Sequence, residues 1–117
     1  MSLPEALSEK SSLTEKQFQA LLRYMKVVSG EMKYKQAAAS MSPPVTIGSY
    51  YRTLQQGKAC VRESLVTVLV AMGIGLTKTE DVRRLFDLVG RVGTKVAEED
   101  KTHFNEILQT LLDRLVM

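Results

Sequence analysis

Residues Lys33 to Lys58 read KYKQAAASMSPPVTIGSYYRTLQQGK, and two helical segments around a proline break can be taken directly from that run. Tyr34, Ala37, Ala38 and Met41 recur at i, i+3, i+4 and i+7, which places them on one face of a 3.6-residue period. Lys33, Lys35, Gln36 and Ser40 fall elsewhere on the same short helix. Small side chains at Ala37 and Ala38 let a second helix cross closely. Ser42, Pro43 and Pro44 then end the segment, because proline lacks the amide donor and disfavours helical geometry in the residue before it. Beyond the break a second stripe runs through Ile47, Tyr51, Leu54, Val61, Leu65, Val68, Leu69 and Met72, with Cys60 on it or beside it. Gly48, Ser49, Tyr50, Arg52, Thr53, Gln55 and Gln56 lie mostly off that stripe.

Helix, short break and polar-faced helix form the outline of a helix-turn-helix, and that outline makes double-stranded DNA the expected partner. The first turns of such a second helix carry the side chains that reach base edges in the major groove. Ser49, Tyr50, Arg52 and Thr53 are therefore the expected base-facing positions, with Arg52 able to pair bidentately with guanine. Lys33, Lys35, Thr46 and Lys58 are suited to backbone phosphates, which supply affinity and salt dependence. Tyr51 is expected in the core, while Tyr50 suits the groove and the core equally.

Working outward, Thr14 with Gln17 three residues later forms a capping box at the start of a first helix. Phe18, Leu21, Leu22, Met25 and Val28 give its inner face, and Ser29-Gly30 ends it. Residues 1–12 read as a loose, Ser-rich arm. Gly57 lies inside the long helix that follows the prolines. Glycine costs roughly 1 kcal/mol there relative to alanine, so either the helix bends or another passes close; the uninterrupted stripe favours continuity. Gly73 and Gly75 end it, and the apolar run LVTVLVAMGIGL at Leu65 to Leu76 reads as a buried helix end. Thr77 or Thr79 caps a fourth helix with Val82, Leu85, Phe86 and Val89 inward. A last helix spans about Ala97 to Val116. Its wide apolar face of Phe104, Ile107, Leu108, Leu111, Leu112 and Leu115 is the expected homodimer interface. One all-α domain results: an arm at 1–12, a helix-turn-helix region at 13–62, and a helical packing or dimerisation region at 63–117.

The run LTEKQFQALLRYM from Leu13 to Met25, then YKQAAASM from Tyr34, then VTIGSYYRTLQQGK from Val45, resembles the helix-turn-helix of LuxR-type response regulators and of sigma-factor region 4. The matching positions are Leu13, Thr14 and Gln17, then Tyr34, Lys35 and Ala38, then Thr46 and Ile47. This resemblance covers roughly the first half of the chain. It implies a DNA-reading helix beginning near Thr46 and a small, free-standing transcriptional regulator of archaeal or bacterial type.

Composition agrees with one small helical domain. The chain has 117 residues, 44% hydrophobic and 25% charged, with no Trp, and no segment alternates with period two. The net charge is +3, but Lys16 to Arg62 holds eight basic residues against Glu31, a local +7 that leaves the remainder acidic. That asymmetry is the electrostatic footprint of a nucleic-acid module. The single Cys60 cannot form an internal disulfide and fits a reducing cytoplasm. His103 has no second ligand at metal spacing, so no metal and no cofactor are expected. Catalytic acid-base sets, nucleophile triads and phosphate-binding glycine loops are missing, which argues against an enzyme. Leu65 to Leu76 is far shorter than the ~20 residues needed to span a bilayer, and no membrane partner is expected. The alternative function is a helical protein-interaction module, adaptor-like or antitoxin-like, without DNA binding. No effector ligand is indicated.

Overall fold

In the computed structural model the described residues, 3–92 and 101–116, form six helices and no strand. The all-α expectation holds. In chain order they are α1 Leu3–Ser8, α2 Glu15–Val28, α3 Tyr34–Ala39, α4 Ile47–Gly73, α5 Thr79–Val92 and α6 Lys101–Leu115. Two compact units share them: Ser12–Leu65 in one, Met1–Ser11 with Val66–Met117 in the other. The long α4 contributes its first part to the former and its last part to the latter.

Local chemistry accounts for most of the boundaries. Thr14 Oγ1 accepts from the Gln17 amide at 3.1 Å while the Thr14 amide donates to Gln17 Oε1 at 3.1 Å, so the capping box is formed in both directions. At the other end of α2, the Gly30 amide donates to the Val27 carbonyl and the Glu31 amide to the Lys26 carbonyl, with Gly30 at φ +84°. That pair of bonds is the Schellman closure, and it needs a left-handed residue where only glycine is unstrained. The end of α4 repeats it: Gly75 bonds to Met72 and Leu76 to Ala71, with Gly75 at φ +81°. Helix α5 begins differently from the sequence expectation. Thr79 is already helical, and Asp81 and Val82 donate to the Lys78 carbonyl, so neither Thr77 nor Thr79 is the cap. Thr77 is buried instead.

The first unit is built around Ala20, Ala37, Ala38, Met41, Tyr50 and Leu54, with Leu21, Tyr24, Val27, Met32, Tyr34 and Val45 packed around them. The inward face of α2 is thus Ala20, Leu21, Tyr24 and Val27, rotated away from the expected one; Leu22, Met25 and Val28 are exposed. Gly57 explains the rotation. A Cβ there would lie 3.3 Å from Leu21 Cγ and 3.5 Å from Gln17 Cβ, so α2 crosses α4 at a position without a side chain. Helix α4 runs straight through Gly57, as its stripe implied.

In the second unit Ala6, Thr77, Val82 and Leu108 are the buried residues among those described. Residues Leu3–Ser8, expected as part of a loose arm, form a helix whose Ala6 is fully buried. Leu108, assigned to a dimer interface by its sequence pattern, belongs to this core. Leu111 and Leu115 share a cleft with Leu85 and Leu88 of α5, while Ile107 is exposed and the side chain of Phe104 lies outside the described residues. Phe86 is exposed rather than inward. So are Leu65, Val66, Val68, Leu69, Val70 and Ile74: the segment expected as a buried helix end is largely uncovered.

Candidate nucleic-acid interface

In the first unit, α3 and the start of α4 are held in place by α2 through the connecting turn. The Arg23 guanidinium donates to the Gln19 carbonyl at 3.2 Å, to Ser40 Oγ at 2.9 Å and to the Ser40 carbonyl at 2.8 Å. Gln19 Oε1 accepts from the Ser42 amide at 3.2 Å, and the Val45 amide returns to the Ala38 carbonyl at 3.1 Å. One arginine and one glutamine therefore satisfy turn groups that the helices cannot. Arg23 is consumed in this role and is not among the cations available to a ligand. The peptide bond between Ser42 and Pro43 is cis.

Thr46 starts α4 as its N-cap: its Oγ1 accepts from the Ser49 amide at 3.1 Å, and its carbonyl accepts from the Tyr50 amide. The expected phosphate role of Thr46 therefore rests on its remaining O–H donor, since an acceptor site of the hydroxyl is in use. Tyr50 does not face outward. It is 0% exposed, and its hydroxyl donates to the Ala20 carbonyl at 2.8 Å. This corrects its placement against DNA: a phenol anchored in the core to a residue of α2 cannot enter a groove. Burial, with the neighbouring Tyr34 next in weight, pushes its pKa above the ordinary tyrosine value, which keeps the hydroxyl protonated as a donor. Tyr51, expected in the core, is 40% exposed. Its ring lies 5.0 Å from that of Tyr34, and this pair ties the first turn of α3 to the first turns of α4.

The outward side of α4 can be read from what is buried. Tyr50, Leu54 and Gly57 mark the inner face, so the opposite side, at 100° per residue, carries Gly48, Arg52, Gln55, Gln56 and Ala59. Arg52, Gln55 and Gln56 are all exposed, while Ser49 and Thr53 flank the stripe and are half-buried. Gln55 and Gln56 were missing from the expected base-facing set. The signal for them was present, because residues three and four beyond Arg52 must share its face.

The remaining cations divide by surroundings. Lys33 and Lys35 are exposed on either side of Tyr34, and the Lys33 amide is capped by Gln36 Oε1 at 2.8 Å. The Tyr34 to Tyr51 ring contact brings this pair beside the first turns of α4. Lys58 is instead drawn over the Tyr24 ring, its Nζ 3.9 Å from the centroid, a cation–π contact of about 0.5–1 kcal/mol at a partly exposed site. Cys60 is a free, half-buried thiol, and His103 is exposed. Among the described residues no His, Cys, Asp and Glu group has metal-site geometry, and no helix is long and apolar enough to cross a membrane.

Geometry thus defines an all-helical chain in which a braced turn presents the polar side of a long helix, next to two exposed lysines. Comparison with protein-family models, with curated proteins and with solved structures finds no significant match to this chain.

Proposed function

We propose that this chain binds duplex DNA through α3, its turn and the first half of α4, and that it acts as a transcriptional regulator in the cytoplasm. One observation carries the reading: the exposed stripe of α4 that holds Arg52, Gln55 and Gln56 begins at a capped helix N-terminus within a segment of local charge +7. Arginine and glutamine are the side chains whose paired donors and acceptors match guanine and adenine edges in the major groove. Ser49 and Thr53 sit at the margins of that reading face, and Lys33 and Lys35 are placed to neutralise phosphate. The same reading has two copies acting together, because one helix reads too few base pairs for high specificity and paired reading helices about 34 Å apart meet successive major grooves.

The test is a titration of the full chain with mixed-sequence duplex at several salt concentrations. Affinity should fall steeply as salt rises, and Lys33→Ala with Lys35→Ala should weaken binding to every sequence and flatten the salt slope. No binding at low salt would sink the proposal. The rival reading is a protein-interaction module in which the same helix-turn-helix surface packs a protein partner, and salt-dependent retention on duplex DNA separates the two.

A further inference from the structure

Val66, Leu69, Val70 and Ile74 fall at i, i+3, i+4 and i+8, so they form one continuous ridge, and each is between 56% and 73% exposed. From Ser64 to Thr77 the chain carries no charge at all. Surface helices keep a polar side toward water; a helix without one is built to be covered. On the same unit α1, α5 and α6 leave an open cleft of about 560 Å³, walled by Leu7, Leu85, Phe86, Val89 and Leu112. Phe86 stands 61% exposed at its edge.

We infer that a second copy of this chain covers both surfaces, the α4 ridge of each copy seated in the α1, α5 and α6 cleft of the other. Three features select a second copy over a foreign partner. Ridge and cleft belong to the same unit, so a single two-fold axis satisfies both at once and leaves no open end. An uncharged ridge meets no like-charge repulsion from its own duplicate, and the cation lining the cleft is Lys10. The four ridge residues and Phe86 are each more than half exposed, an apolar patch of the few-hundred-Å² kind that marks an interaction site and a substantial part of the ~800 Å² that each partner contributes to a stable interface. This deepens the two-copy part of the proposed function and centres the interface on the α4 ridge, with α6 contributing Leu112 to the cleft that receives it. It does not depend on DNA.

Sedimentation of the full chain at micromolar concentration, without DNA, should give twice the chain mass. Leu69→Lys with Ile74→Lys should weaken self-association at least about 100-fold, yet leave helicity and cooperative melting intact, because both side chains are solvent-exposed in the single chain. In a Cys60→Ser background, separately prepared Leu69→Cys and Phe86→Cys proteins, mixed and oxidised, should form the mixed disulfide in preference to either self-pair. A monomeric unmodified protein overturns this proposal and the two-copy reading together. A dimer that survives the double lysine variant, or Leu69→Cys pairing with itself, overturns only the seating of ridge in cleft. Duplex binding is measured separately, so a failure of DNA binding leaves this result standing.

Discussion

Replacing Tyr50 by Phe separates a structural tyrosine from a DNA-reading one. The ring would keep its place among Ala20, Ala37, Ala38, Met41 and Leu54, so no cavity forms and the change is confined to one hydroxyl. That hydroxyl makes a 2.8 Å bond to the Ala20 carbonyl, a neutral pair in the interior worth about 1 kcal/mol net. The acceptor is not orphaned when the phenol leaves, because a carbonyl inside α2 is also an acceptor for the helix itself. The loss should therefore stay near 1 kcal/mol, or several degrees in Tm for a chain of this size. Tyr50→Ala, which empties the ring volume, should cost about 3–5 kcal/mol. Urea unfolding followed by circular dichroism measures both, with the midpoint moving and the slope unchanged if unfolding remains two-state. Affinity for duplex DNA should be the same in Tyr50→Phe as in the parent wherever both are folded. A variant with parental stability but weakened DNA binding would refute the reasoning, since it would put the hydroxyl in the groove and not on Ala20.

The same phenol predicts an alkaline limit. Its pKa is raised in the folded state, so its contribution is fully present below the unfolded value of about 10 and is lost as pH rises through the folded one; urea midpoints measured from neutral pH to above ~10 should therefore fall less for Tyr50→Phe than for the parent. Gly57→Ala should change stability by less than about 1 kcal/mol, since regained helix propensity offsets the 3.3 Å approach to Leu21, whereas Gly57→Leu should lose about 1–3 kcal/mol by overpacking the α2 crossing, both read from thermal melts. Arg52→Ala should cost about 1–3 kcal/mol on a selected duplex and much less on random sequence; equal losses on both would reassign Arg52 to phosphate. Arg23→Ala should destabilise by about 1.5–3 kcal/mol, as expected for charged donors lost from three acceptors and reduced by partial exposure, with faster amide exchange around Ser40 to Val45 as the local readout.

What could be read from the sequence follows the range of the interactions involved. The Thr14 and Gln17 box, the Gly30 and Gly75 closures and the proline break are settled within a few residues, so the pattern alone announces them. Rotation of a helix about its own axis is not settled that way. Leu21 and Leu22 are both apolar and adjacent, and what turns Leu21 inward is a missing side chain at Gly57, on a different helix. Tyr50 and Tyr51 pose the same problem: one aromatic lies 100° around the helix from the other, and the distant Ala20 carbonyl decides which goes inside. The second half of α4 shows the complementary limit. An uncharged apolar run states that a segment calls for cover, but periodicity says nothing about which chain supplies it. Those two questions can have different answers in this chain: among the described residues its second unit buries only Ala6, Thr77, Val82 and Leu108 while Val66, Leu69, Val70 and Ile74 stay exposed, so burial of the ridge, which each buried apolar group would favour, is a matter for contacts that the local pattern does not encode.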